Sequence, residues 1–382
     1  MDGTRKRACA LTRAILLHNK RATRQYNRTV SKRLGWACRW LGPLTLVFSF
    51  SLSSALAQGK WLDLMPFPEP HEEVIGQAAN GKMYVFAGLV AAPVWQPVGL
   101  VYEYDPPANK WTKLRVMPLP AHHLSLTEYN GKIYVFGGFI AGRVGNLVAW
   151  APIDNAWEYD PAKDTWKELA PMPTKRGAGV AATVGDKMYV IGGATVAPGT
   201  TNPAIHPTTA QRVLGTVEEY DPKTNQWRAR AAMPTPRNHT GAGVVNGKIY
   251  VIGGRIGSAF IAASSNLNSV EAYDPSTDTW SAPLAKMPTA RSGLCVGVHD
   301  GRIYVAGGEW QNAVEQTAYR AFEAYDPAAN SWSVLPPMAL ARHGVAGGVI
   351  GNRFYAISGD VQSSGTGIAV STDATAAFEF SK

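Results

Sequence analysis

A nine-residue run recurs six times in this chain, and that repetition constrains the fold more than any other feature. It first reads Asn80-Gly-Lys-Met-Tyr-Val-Phe-Ala-Gly88, then returns at 130–138, 185–193, 246–254, 300–308 and, weakened, at 351–359. Its tyrosines, Tyr84, Tyr134, Tyr189, Tyr250, Tyr304 and Tyr355, follow one another at intervals of 50, 55, 61, 54 and 51 residues. After five of the runs comes Tyr-Asp-Pro with a Trp seven residues beyond the Tyr, giving the pairs Tyr104/Trp111, Tyr159/Trp166, Tyr220/Trp227, Tyr273/Trp280 and Tyr325/Trp332. A unit that repeats at this period cannot bury its own apolar face and must pack against its copies.

Each piece of the unit suits a short strand. Met/Ile-Tyr-Val-Phe/Ile is an unbroken apolar run, expected where a strand is covered on both faces. The glycine pair after it permits positive φ and close backbone approach. Asp-Pro followed by Asn, Asp or Thr reads as a tight hairpin turn. Before each run lie small residues, such as Gly177-Ala-Gly-Val-Ala-Ala182, which fit where several strands converge on one axis. The unit is therefore four strands: A (small residues), B (apolar), C (ending Tyr-Asp-Pro) and D (opening with Trp).

These residues resemble the Kelch repeat, whose family fold is the β-propeller. The resemblance covers essentially all of 61–382. It implies an all-β, six-bladed β-propeller over 58–382. The sixth unit has no strand D of its own, and its end, Phe378-Glu-Phe-Ser381, is aligned with Phe322-Glu-Ala-Tyr325. Trp61-Leu-Asp-Leu-Met-Pro-Phe-Pro matches Trp166-Lys-Glu-Leu-Ala-Pro-Met-Pro. The N-terminal strand is thus expected to complete the last blade and close the ring.

Residues 1–57 read differently, as a basic leader and signal peptide. Residues 1–40 hold 11 Lys and Arg against one acid, Asp2, which leaves 26 basic and 27 acidic residues for the remainder of a chain whose formal charge is +9. The basicity belongs to the leader, so no nucleic-acid partner is expected. An uncharged run, Leu41 to Ala57, ends in Ala55-Leu56-Ala57, as an export signal does before cleavage. Its 17 residues include five Ser or Thr and fall short of the roughly 20 that span a bilayer, so no membrane attachment is expected after cleavage. The protein would then be exported, periplasmic or secreted. Of three cysteines, Cys9 and Cys38 leave with the leader and Cys295 stays, which excludes an intrachain disulfide in the mature chain.

Strand order places the D–A and B–C connections on one face of the ring. The B–C connections are long, roughly Ala194–Gly215 and Asp360–Ala377 among them, and carry Trp95, Arg143, Trp150, His206, Arg255, Glu309 and Trp310. Long loops on the rim of a rigid scaffold are where binding usually lives. Counting 12 or 13 residues back from each repeat tyrosine gives His71, His122, Arg176, Arg237, Arg291 and Arg342, with His123, His239 and His343 close by. Six such groups at one height suggest an anion-binding funnel, and resemblance to Kelch substrate adaptors implies that Arg237, Arg291 and Arg342 grip acidic side chains. The alternative is that these arginines bond neighbouring backbone carbonyls. The ligand-binding set is therefore His71, His122, Arg176, Arg237, His239, Arg255, Arg291, Arg342 and His343, for an acidic sugar, peptide or protein partner.

Two enzyme readings also follow from the resemblance. The exported sialic-acid epimerases (mutarotases) are six-bladed Kelch proteins, and Glu309 and Asp360, on adjacent blades just after Gly-Gly, are candidate proton-transfer residues. A copper radical oxidase like galactose oxidase needs two histidines, two tyrosines and a Tyr–Cys cross-link on seven blades. Cys295 instead sits in a small-residue core strand. No metal or cofactor is expected, and no Ser-His-Asp set or phosphate loop stands out. A glycosylation pattern, Asn238-His-Thr240, falls in the expected mouth.

Overall fold

A computed structural model describes residues 59–90, 95–206, 209–259, 264–312, 315–363 and 370–381. The basic leader, Cys9, Cys38 and the cleavage point after Ala57 lie outside the described residues. Among the described residues no helix is long and apolar enough to cross a membrane.

Six four-stranded antiparallel sheets form the blades. In blade 3, strand A is Val180–Val184, B Lys187–Ile191, C Val217–Asp221 and D Gln226–Arg230. Strand A lines the axis in every blade, and the inner strands touch one another in order all the way round. The close approach needs small residues there. A Cβ on Gly76 of blade 1 would come within 2.3 Å of the Gly347 backbone in blade 6, where the ring closes.

Closure follows the expected route. Blade 6 consists of Ala346–Ile350, Arg353–Ile357, Thr375–Phe380 and, as its outermost strand, Gly59–Asp63 from the start of the described chain. Trp61 pairs with Phe378 and packs on the rings of Phe322, Phe354 and Phe378. One alignment is corrected. Phe354 pairs with Phe378 as Ile303 pairs with Tyr325, so Phe378, three residues earlier than expected from the sequence, holds the repeat-tyrosine position. What that position needs is a buried ring opposite the strand D Trp, and Phe378 supplies it.

The Tyr–Trp signature acts as a clasp between blades. Tyr and Trp sit opposite each other in register, as in Tyr220 and Trp227, with ring centroids 4.8–5.2 Å apart in the five pairs. Each Trp indole N–H donates to a carbonyl of the preceding blade, for example Trp227 to Ala170 at 2.8 Å and Trp61 to Pro336 at 2.8 Å. The Asn or Asp of the C–D turn adopts left-handed φ, between 47° and 56°, which these two residues tolerate best. Its side-chain oxygen takes the Tyr hydroxyl and a backbone N–H of the preceding blade, as Asn225 does from Tyr220 and Ala170.

Candidate functional site

Four of the long B–C connections carry a two-stranded ribbon beyond the main sheet: Phe139–Val144 with Leu147–Pro152, Ala194–Val196 with Gln211–Val213, Arg255–Gly257 with Ser264–Asn266, and Glu309–Gln311 with Gln316–Ala318. The first residue of each ribbon pairs back with the D–A segment. His122 bridges Phe139, Gly177 bridges Ala194, Asn238 bridges Arg255 and Ser292 bridges Glu309, while His343 bridges Asp360 in blade 6. The second glycine of each pair makes this possible. At Gly138, Gly193 and Gly254 a Cβ would lie 2.7 Å from the carbonyl of His122, Gly177 or Asn238.

This register sorts the expected ring of basic groups into two kinds. Arg176, Arg237, Arg291 and Arg342 are at most 1 % exposed, and their guanidinium groups are committed to the scaffold. Arg176 bonds Glu218 at 2.7 Å and the carbonyl of Val190. Arg237 bonds Glu271 and the carbonyls of Gly253 and Ser269. Arg291 bonds Glu323 and the carbonyls of Thr289 and Val305. A Thr two residues before each of these three arginines donates to the other oxygen of the same glutamate. Blade 6 lacks both partners, with Leu340 and Ala376 at the Thr and Glu positions, and Arg342 bonds the carbonyls of Ser358 and Ala374 instead. The expectation that these four guanidinium groups line an open funnel is therefore corrected. Buried charges need partners, and here the partners are internal.

His122 is also moved. Its bridge to Phe139 puts it one step past the arginine position, which Ala121 occupies in blade 2. It is enclosed by His123, Phe139 and Trp150. His71 does hold the arginine position in blade 1 and is half-buried, and burial lowers its pKa despite Glu69 nearby.

The groups that do converge lie one and two residues farther on. Six residues, Glu73, His123, Ala178, His239, Gly293 and Gly344, stand eleven positions before the six repeat tyrosines, and all six have left-handed φ between 51° and 61°. They form a backbone belt around the axis: Ala178 N–H donates to His123 O, His239 to Ala178, Gly293 to His239 and Gly344 to Gly293, at 2.9–3.0 Å. Side chains at such φ cost of order 1 kcal/mol or more and persist mainly where function holds them. Sequence reasoning missed Glu72 and Glu73 and named His123 only in passing. The signal was available as a fixed offset from the repeat tyrosine.

On this belt, Glu73 Oε2 lies 3.2 Å from His123 Nε2, which lies 2.8 Å from His239 Nε2. Arg255 donates to Glu309 at 2.5 Å, to Ala259 O at 2.7 Å and to His239 Nε2 at 3.1 Å. Glu309 also accepts from Gln311 and Ser363. His343 Nε2 sits 3.6 Å from Glu309 and 3.9 Å from Glu73. Burial, and then the nearby cation Arg255, push the His239 imidazolium well below its ordinary range, and burial with His123 does the same to His122. Burial opposes ionisation of Glu73, but His123, His343 and Arg255 outweigh it and hold the carboxyl at about 2. Burial, reinforced by Glu73 and Asp360, raises Glu72 well above the carboxylate range. Asp360 is raised too, mainly by burial. Asn238 is enclosed, with its Oδ1 2.6 Å from His239 Nδ1, which does not suit a glycan acceptor.

All six belt residues line an axial cavity of about 200 Å³. It shares Gly76, Gln77, Ala181, Ala242, Val296 and Gly347 with a wider chamber of about 740 Å³, which extends to Asn130 and Gly185 at the A–B turns. Of the residues expected on the loop rim, Trp150, Arg255 and Glu309 are buried, Trp95, His206 and Trp310 are half-buried, and Arg143 is exposed. Trp95, Gln96, Ala141, Gly142, Arg143 and Val148 line a separate cleft of about 360 Å³ on the loops of blades 1 and 2. The axis thus offers an enclosed imidazole–carboxylate cluster, including the Glu73–His123–His239 set that can hold a metal ion, and the rim offers an open aromatic and cationic cleft.

Residues 57–230 and 207–359 match the KLHDC2/KLHL20/DRC7 Kelch-repeats domain. The chain is 28% identical over 197 residues to Kelch-like protein terF of Aspergillus terreus, covering 51% of this chain and 40% of that protein. It is 28% identical over 300 residues to Kelch-like protein 23 of Homo sapiens, covering 78% and 47%, respectively. Kelch repeat and BTB domain-containing protein 12 of Homo sapiens is 31% identical over 186 residues, 47% of this chain and 29% of that protein. The chain thus spans less than half the length of each of these relatives. The solved structure of YjhT shares the fold, with a TM-score of 0.63 and 18% identity, covering 82% of this chain and 96% of that one.

Proposed function

Because the chain belongs to the Kelch-repeat family, whose propellers present loops from a rigid ring, we propose that it is an exported binding module for an acidic ligand, sugar or peptide. The observation that carries this reading is the rim cleft. Arg143 is exposed at the tip of the blade 2 ribbon, with a backbone bond to Asn146 O at 3.3 Å, and it lines the cleft together with Trp95 and Gln96. A cation beside an aromatic face and an amide suits a carboxylate-bearing sugar or an acidic side chain. Leu147, Ile256 and Val370 are exposed on the loops of blades 2, 4 and 6, and add apolar area for a larger partner.

Binding is favoured over isomerisation by the state of the candidate proton-transfer groups. Glu309 is bonded by Arg255, Gln311 and Ser363, and Asp360 accepts from the Val370 N–H. Neither faces the rim cleft, and the axial arginines are committed elsewhere. Export rests on the basic leader, the uncharged run Leu41 to Ala57 and its Ala-Leu-Ala end. N-terminal sequencing of exported protein should read from Gln58, and retention of the apolar run would contradict that part.

A panel of acidic sugars and acidic peptides titrated against the protein tests the binding. Arg143→Ala should weaken the best ligand by roughly tenfold, the lower end of what one charge-assisted bond contributes. Raising salt should weaken it further. Equal affinity in the parent and the variant would remove Arg143 from the site.

A further inference from the structure

We propose that Glu73, His123 and His239 form a binding site for one first-row divalent transition-metal ion, of the zinc or iron(II) kind, at the head of the axial cavity. The inference is independent of the acidic-ligand reading, which concerns the rim. Two imidazole nitrogens and one carboxylate oxygen converge from blades 1, 2 and 4, all within 4.8 Å of one another. Ligands bound to one such ion at roughly 2.1 Å stand about 3.4 Å apart in tetrahedral geometry. The observed 3.2 Å from Glu73 to His123 and 2.8 Å from His123 to His239 need only small adjustments to meet that spacing.

The surroundings prepare these atoms as ligands. His239 Nδ1 is held by Asn238 Oδ1, and His123 Nδ1 by His122 Nδ1. With protons on those Nδ1 atoms, the two Nε2 atoms face each other and Glu73, and an incoming ion displaces the proton held between them. Bonds of this kind on the far ring nitrogen fix tautomer and orientation in metal sites. A second observation is His343, wholly enclosed beside Glu73, with neither ring nitrogen bonded to another described residue. Its Nε2 is 3.6 Å from Glu309 and 3.9 Å from the Glu73 carboxylate, beside the three-residue set. Arg255 competes, since it donates to His239 Nε2, but its bonds to Glu309 and Ala259 O can persist if that contact is released.

The belt explains why coordination positions stay open. Its other three members are Ala178, Gly293 and Gly344, which leave the cavity of about 200 Å³ beside the ligands. Two histidines and one carboxylate with open positions are the ligand set of mononuclear zinc and non-haem iron(II) centres. The wider chamber below provides an entry path.

The test uses untagged full-length protein, stripped with chelator and titrated with Co²⁺ as a spectroscopic probe. Zn²⁺, and Fe²⁺ without oxygen, then compete, and Ca²⁺ and Mg²⁺ serve as hard-cation controls. One equivalent should bind with visible ligand-field bands and raise the melting temperature, and the stronger competitor identifies the metal. Glu73→Gly and His239→Gly suit the left-handed backbone, as Gly293 and Gly344 show. They should fold at least as well as the stripped parent while binding Co²⁺ at least roughly tenfold more weakly. Glu73→Gln keeps the side-chain shape and should weaken binding without any change of backbone preference. No band and no thermal shift in the parent, or undiminished binding in Glu73→Gln and His239→Gly, would overturn the site.

Discussion

Replacing Arg291 with alanine removes a fully enclosed guanidinium that bonds the Glu323 carboxylate and the carbonyls of Thr289 and Val305. Glu323 is itself 2 % exposed and would keep only the hydroxyl of Thr289. Breaking a buried ion pair from one side leaves an uncompensated charge and costs about 3–5 kcal/mol. A domain is typically stable by only about 5–15 kcal/mol, so the loss should be plain in a urea unfolding curve as a lower midpoint. Arg342 is the internal control. It has no glutamate at the matching position, so Arg342→Ala strands no carboxylate and should cost less, about 1.5–3 kcal/mol for its lost charge-assisted bonds. Combining Arg291→Met with Glu323→Leu should recover most of the single-variant loss, because apolar pairs often replace buried ion pairs without penalty. Unfolding of Arg291→Ala at the parent's midpoint, or a cost no greater than that of Arg342→Ala, would refute a structural role for the buried pair.

Two further outcomes follow from the same scaffold. Trp61→Ala removes the indole that packs on Phe322, Phe354 and Phe378 and bonds Pro336 O, and should cost about 3 kcal/mol. The melting curve should shift as one transition, because this strand joins the two ends of the ring, whereas an unchanged curve would deny it that role. Cys295 is enclosed, and burial pushes its thiol up to about 12, so alkylation of the native protein at pH 8 should proceed only through unfolding. Its linkage has a definite sign: the unfolded thiol ionises near 9 while the folded one stays protonated, so this group lowers stability as pH rises from about 9 to about 12. Rapid labelling at pH 8 in the absence of denaturant would contradict the burial.

The repeat made the blades legible because it is itself the packing code: Tyr opposite Trp, Gly-Gly under the D–A corner, and small residues at the axis. What the code left open was which basic residues serve packing. An arginine thirteen residues before the repeat tyrosine looks the same in sequence whether it faces solvent or a glutamate. The paired changes to Leu340 and Ala376 in blade 6 show that its partners are Thr and Glu, but that comparison requires the strand register. Accepting a count of either 12 or 13 placed His122 among the arginines and concealed the belt. With a strict count, Glu73, His123 and His239 fall at one offset, eleven. Their neighbours at that offset are Gly293 and Gly344, the residue a left-handed backbone favours, and Ala178, which adds only a methyl group. The meeting of three side chains from different blades is a property of the closed ring, so no local stretch of sequence could reveal their distances.

A binding module and an isomerase differ in one observable, the fate of a bound sugar. An acidic sugar selected from the titration panel, followed by NMR in the presence of substoichiometric protein, reports binding through line broadening and turnover through the rate at which its anomers interconvert. A binding module should show saturable binding that weakens in Arg143→Ala and an interconversion rate equal to that without protein. Accelerated interconversion that is lost in Glu309→Gln and unaffected in Arg143→Ala would contradict it, and would assign function to the axial cluster instead of the rim.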